Sequence, residues 1–120
     1  MSDRRATTTL LRDIRRLAGA AGLGECSDRQ LLERFARQRD EEAFAALVRR
    51  HAALVYGVGW RLLRQVQDTE DVFQATFLVL ARKAGSVPWR SSVANWLYGV
   101  ARRLALKVRA DARRRRQRDQ

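Results

Sequence analysis

Asp68-Thr-Glu-Asp-Val-Phe-Gln-Ala-Thr-Phe-Leu-Val-Leu-Ala81 is the stretch on which the fold of this chain turns. Its opening holds Asp68, Glu70 and Asp71, carboxylates that suit the positive end of a helix dipole. Asp68 is placed to cap that helix. Val72, Phe73, Thr76, Phe77 and Leu80 then recur at the spacing of a helix with one buried side. The run from Phe77 to Ala81 is apolar nearly all round, which means deep burial or a second apolar surface facing a partner.

Working outward, the rest of the chain also reads as helix. There is one proline, Pro88, and no alternation of period two that would argue strand. Upstream, Asp40 caps a helix whose first turn holds Glu41 and Glu42. Its apolar stripe is Phe44, Leu47, Val48, His51, Leu54, Val55, Val58 and Leu62. Gly57 and Gly59 lower helix propensity there, and mark a close helix approach or a bend. His51 lies on the stripe with no second ligand near it, so it reads as a core residue rather than a metal ligand. Before that helix, Ser27 and Gln30 form a capping box ahead of Leu31, Leu32 and Phe35, and this helix stops near Arg39. Downstream, Gly85-Ser-Val-Pro-Trp-Arg-Ser-Ser92 breaks the chain, and Ser91 or Ser92 caps a last helix. Val93, Trp96, Leu97, Val100, Ala101, Leu104 and Val108 form its stripe, with Trp96 packing inward and Tyr98 off the stripe and exposed. Beyond Val108 only charge remains, so this helix projects past the core.

Residues 1–26 read as a leader, in which Leu10, Leu11, Ile14, Leu17 and Ala18 sit at helical spacing and Gly19 to Gly24 form a flexible link. Residues 27–112 read as the helical domain, and 113–120 as a basic tail or the start of a linker. The fold expected is all-α, a compact bundle of three to four helices with an additional short N-terminal helix. A length of 120 residues supports one domain.

Charge is uneven. The net charge is +12, and the second half of the chain carries 14 basic side chains against 5 acidic ones. Residues 102–118 hold nine Arg or Lys and the single acid Asp111. That clustering is the footprint of a phosphate-binding surface. An acidic helix start beside it suggests a chain that grips one partner by its acids and a polyanion by its bases.

Catalytic material is scarce. One histidine, one cysteine and no glycine-rich phosphate loop exclude the usual triads and P-loops. Cys26 alone forms neither an internal disulfide nor a zinc cluster. Asp68, Glu70 and Asp71 read as caps and dipole partners before they read as Mg²⁺ ligands. No apolar run approaches the roughly 20 residues of a membrane span, and Arg12, Asp13, Arg15 and Arg16 interrupt any signal-peptide core. The expectation is a cytoplasmic, non-enzymatic nucleic-acid adaptor without a cofactor.

Four segments sharpen this. Asp28-Arg-Gln-Leu-Leu32, Asp40-Glu-Glu-Ala-Phe-Ala-Ala-Leu47, Asp68 to Phe77 and Trp96-Leu-Tyr-Gly-Val-Ala-Arg102 together resemble region 2 of bacterial extracytoplasmic-function (ECF) sigma factors. They occur in the family's order and near its spacing, over about residues 28–116.

The resemblance implies a domain that joins RNA polymerase and opens promoters. The family's core-binding pattern, Asp-x-Glu-Asp-x-x-Gln, falls on Asp68, Glu70, Asp71 and Gln74, the surface that in the family docks on the β′ clamp helices. Carboxylates and an amide on one helical face can accept hydrogen bonds from a partner's arginines. The acid often found after that Gln is Ala75 here. The family's loop before the last helix, and the exposed face of that helix, take the non-template strand of the −10 element. The parts here are Ser86, Trp89 and Arg90 in the loop, then Tyr98, Arg102, Arg103, Lys107 and Arg109 on the helix. Trp89 either stacks on a base or staples the end of the bundle. Where many members have Asn and Asp four residues apart, this chain has Arg103 and Lys107, which adds phosphate affinity and alters sequence preference. The resemblance also implies a second domain reading the −35 element, absent from this stretch, so that the chain reads as an excised domain in preference to the alternative of a lone region 2. An anti-sigma factor is a further candidate partner, and two alternative readings stand: a generic basic helical nucleic-acid-binding protein, or a protein-interaction domain regulated by an anti-sigma factor that covers the apolar side of the acidic helix.

Overall fold

In the computed structural model, residues 23–88 and 91–119 are described. Among them are four α-helices, α1 (Asp28–Gln38), α2 (Glu41–Leu63), α3 (Val66–Lys83) and α4 (Val93–Arg118), with 3-10 turns at Leu23–Glu25 and Ala84–Ser86. No strand occurs among the described residues, so the fold class is all-α. The leader helix expected around Leu10–Ala18 lies outside the described residues, as do Trp89 and Arg90. None of the helices among the described residues is long and apolar enough to cross a membrane. The chain divides into two units, residues 1–50 and 51–120, with the boundary inside α2.

In the first unit the expected capping box forms. Ser27 Oγ accepts from the Gln30 amide at 3.1 Å and Gln30 Oε1 from the Ser27 amide at 2.8 Å. Leu31, Leu32 and Phe35 are buried, as the periodicity predicts. Arg39 ends α1 in the left-handed region with φ 51°. Its amide donates to the Phe35 carbonyl at 2.9 Å, and its guanidinium lies 4.8 Å from the centre of the Phe35 ring. A cation over that ring offsets part of the cost of a positive φ in a non-glycine residue. Asp40 caps α2 through its carboxylate, 3.1 Å from the Glu42 amide and 3.3 Å from that of Ala43. Ala43 and Ala46, which the apolar stripe passed over, are fully buried. Near the end of the unit, Arg50 Nη2 donates to the carbonyls of Leu23 at 2.9 Å and Gly24 at 3.2 Å, while Nη1 reaches Asp28 Oδ1 at 3.1 Å. One guanidinium thus satisfies backbone groups of a turn whose Leu23 is fully buried.

In the second unit, α3 packs along α4. His51, Val55 and Val58 are buried on α2, Val72, Phe77 and Leu80 on α3, and Val93, Leu97, Val100, Ala101 and Ala105 on α4. Two expectations fail here. Leu54 is 36% exposed, because Val55, next to it on the helix, takes the inward position. Asp68 does not cap α3. The helix starts earlier, at Val66, and the cap is Gln65, whose side-chain oxygen accepts the Asp68 amide at 2.6 Å. Of the two glycines, Gly59 makes the close approach: a Cβ there would sit 3.3 Å from Thr69 Cγ2, whereas one at Gly57 meets nothing within 4 Å. Thr69 and Thr76 are buried polar residues whose hydroxyls donate to the carbonyls of Gln65 and Val72, each at 2.7 Å. Back-bonding of this kind removes the cost of burying a hydroxyl. Ser92, not Ser91, caps α4, its Oγ accepting from Asn95 at 3.0 Å. That helix then continues through the arginine run to Arg118.

Candidate functional site

The acidic helix presents its polar groups unevenly. With about 100° between successive residues, Gln67, Asp71, Gln74 and Leu78 line up on the side of α3 opposite the buried Thr69, Val72, Thr76 and Leu80. Glu70, Asp71 and Gln74 are all exposed. Glu70 is turned toward one flank, and Asp68, only partly exposed, lies toward the other. The structure therefore joins Asp71 and Gln74 in one row and sets Asp68 and Glu70 on either side of it. Gln67 Nε2 donates to Asp71 Oδ1 at 3.2 Å, which orients that carboxylate. Leu78, 57% exposed, extends the row by a turn with an apolar side chain. Residue-by-residue matching to the family pattern passed over Leu78, although the all-round apolar run from Phe77 to Ala81 was its signal.

A separate cleft lies where the end of α3, the Ala84–Ser86 turn and the start of α4 meet. It encloses about 610 Å³, and its lining includes Lys83, Ser86, Pro88, Trp96 and Arg103. Val87, in the chain segment between these elements, is buried, and the Ser91 amide donates to the Pro88 carbonyl at 3.0 Å. Trp96 is half-buried, so it packs and lines the cleft together. The cleft combines two cations, a hydroxyl and an indole face. That set can hold a planar ring by stacking while its cations meet phosphate. Lys83 and Trp96 belong to this cleft although the sequence placed neither in a binding role. Ser86 and Arg103 lie in it, while Trp89 and Arg90 fall outside the described residues.

Eight of the nine basic residues of α4 fall in two rows about 140° apart around its axis, while Arg115 lies in neither, on the side of the apolar stripe. Trp96, Arg103, Lys107, Arg114 and Arg118 lie toward the cleft. Tyr98, Arg102, Arg109, Arg113 and Arg116 lie on the outer side. Tyr98 is 44% exposed, as its position off the stripe predicts. Arg102 and Arg109 are thus separated from Arg103 and Lys107, although all four fall within about two turns.

The sigma-70 region 2 family matches residues 47–118. Among curated proteins, the chain is 38% identical over 87 residues to the ECF RNA polymerase sigma factor SigK of Mycobacterium sp. (strain KMS), covering 71% of this chain and 45% of that protein. It is 39% identical over 82 residues to the protein of the same name from Mycolicibacterium vanbaalenii, covering 67% of this chain and 42% of that protein. The chain spans less than half the length of these relatives. No solved structure matches it at a significant level. With an all-α fold, the expected motifs in order and this family match over more than half its length, the chain belongs to the sigma-70 region 2 family, among the ECF sigma factors.

Proposed function

We propose that this domain acts in transcription initiation in the cytoplasm, without catalysis of its own. In this reading it docks on the β′ clamp helices of RNA polymerase core and takes the non-template strand of the promoter −10 element. The docking row is Asp71, Gln74 and Leu78, flanked by Glu70 and Asp68. Its exposed acids and amide suit a partner helix bearing arginines, and Leu78 adds an apolar contact at its end. The −10 strand is assigned to the cleft and its rim: Ser86, Trp96 and Arg103, with Lys107 along the helix and Trp89 and Arg90 contributed by the loop. Tyr98, Arg102 and Arg109 complete the basic helix.

The observation that carries the reading is the separation of the two chemistries. A row on α3 with an oriented carboxylate and an exposed amide, flanked by two further acids, and a cationic, aromatic cleft at the start of α4 suit two partners held at once. A generic basic protein has no use for the first.

Binding of the chain to the isolated β′ clamp helices, measured by titration calorimetry, tests this. Asp71→Arg and Gln74→Ala should each weaken binding while circular dichroism stays native. Loss of a hydrogen-bonded charge contact at such an interface costs about 2–5 kcal/mol. Absence of binding by the unaltered chain would leave only the generic reading.

A further inference from the structure

Side chains in the cleft can give hydrogen bonds far more readily than they can take them. Lys83 and Arg103 are donors only, and Ser86 brings a hydroxyl that does both. Among the described residues no carboxylate, amide or imidazole lines the cleft. Trp96 is its flat element, with Val100 and Leu104 as apolar neighbours.

Arg103 is also seated in a defined way. It follows Trp96 by about two turns on nearly the same side of α4. A Cβ added to Gly99 would sit 3.5 Å from Arg103 Nη1. The guanidinium therefore folds back by about one turn toward Trp96, over a residue with no side chain.

We propose that the cleft reads guanine in preference to adenine at the nucleotide it holds. Arg103 is the reading group, Lys83 a second donor, and Gly99 the positioning residue that seats Arg103. Guanine readout presupposes the assignment of the cleft to a single strand. Guanine presents two adjacent acceptors, O6 and N7, which match the fork of a guanidinium. Adenine presents N7 beside its N6 amino group, a donor that would meet another donor here. The amino group of cytosine meets the same obstacle, and thymine offers O4 without an adjacent acceptor. The N1–H and amino group of guanine lie on a different edge, where Ser86 or solvent can accept them. Cations that met only phosphate would bind every base alike, so dependence on the base is the mark of this role.

Fluorescence anisotropy tests this with three labelled single strands: a run of adenines, the same strand with one guanine, and one with 7-deazaguanine in that place. The unaltered chain should bind the guanine strand about tenfold more tightly than the adenine strand, as one bidentate pair allows. 7-Deazaguanine, which stacks alike but lacks the N7 acceptor, should lose most of that gain. The Arg103→Gln chain should bind the adenine strand at least as tightly as the guanine strand, since a side-chain amide pairs with N6 and N7 of adenine. Lys83→Gln should narrow the preference to about threefold. Gly99→Leu should abolish it with circular dichroism still native, and Gly99→Ala should keep it, because only the larger side chain contests the space of the guanidinium.

Equal loss on both strands in Arg103→Gln, with a salt slope lower by about 0.7, would place that charge on phosphate and overturn the proposal. Absence of any preference in the unaltered chain would overturn it too. If Trp96→Ala then still weakened both strands, the cleft would stand as a strand site that does not read guanine. If Trp96→Ala and Arg103→Gln both left every strand unchanged, the assignment of the cleft would fail, and guanine readout with it.

Discussion

The side-chain oxygen of Gln65 accepts the Asp68 amide at 2.6 Å, and α3 begins one turn earlier than its run of acids suggests. The cap is an amide rather than a carboxylate. Asp68 is thereby released from capping, and its charge remains in the first turn, where the helix dipole favours it. Removing Gln65 and neutralising Asp68 should therefore have separable effects. Gln65→Ala should destabilise the chain by about 1 kcal/mol in urea denaturation, the usual cost of a lost N-cap. Asp68→Asn should cost about 0.3–1 kcal/mol, and that loss should shrink in high salt as a dipole effect must. A larger loss for Asp68→Asn than for Gln65→Ala would restore Asp68 as the cap.

The two glycines of α2 should respond in opposite directions. Gly57 has open space where a Cβ would go, so Gly57→Ala should raise stability by about 0.5–1 kcal/mol through helix propensity alone. Gly59 faces Thr69 at 3.3 Å. Gly59→Leu should lower stability by about 1–3 kcal/mol, because Thr69 is fully buried and a packed site resists added volume. Thermal melts of both variants would show it. A stabilising Gly59→Leu would mean that the helices part more easily than this contact implies.

Arg50 should prove structural. Its guanidinium bonds two carbonyls and one carboxylate in three directions, which an ammonium on a flexible stem cannot reproduce. Arg50→Ala should cost about 1–2 kcal/mol, a value reduced for partial exposure, and Arg50→Lys should recover less than half of it. Hydrogen exchange should speed up at Cys26, whose amide donates to the Leu23 carbonyl at 3.1 Å. Unchanged exchange there would show that the turn holds without the arginine.

Trp96 should matter to single strands more than to duplex. Its indole lines the cleft beside Ser86 and Arg103, and base stacking is worth about 1–3 kcal/mol per base on alanine substitution. Trp96→Ala should weaken single-strand binding by that amount and leave duplex affinity within about twofold. Trp89→Ala, in the adjoining loop, should take a further share. Equal losses on single strand and duplex would place the indole in the core instead.

Leu78→Ser should separate the docking row from the fold. The side chain is 57% exposed, so little apolar burial is lost within the chain, and stability should change by less than about 0.5 kcal/mol. Affinity for the clamp helices should fall by about 1–2 kcal/mol if Leu78 enters a dry interface. A stability loss without a binding loss would return Leu78 to the core.

Much of this protein was legible in local patterns. Helix type, three of the four caps and the apolar stripes through Val72, Thr76 and Leu80, or Leu97, Val100 and Ala101, follow from spacing, because a 3.6-residue period assigns side chains to faces without knowledge of what they meet. The motif order that marks the family lies in the sequence too. Tertiary structure decided what depends on neighbours distant in the chain. It made Gly59, not Gly57, the point of close approach, because Thr69 lies beside only one of them. It exposed Leu54 and Leu78, whose fate rested on which neighbouring surfaces were already covered. It gathered Lys83, Ser86, Trp96 and Arg103 into one cleft from two helices and a turn. And by carrying α4 as unbroken helix to Arg118, it divided one run of basic residues into two rows, since a fixed rotation per residue sends neighbours in sequence to different sides of the axis.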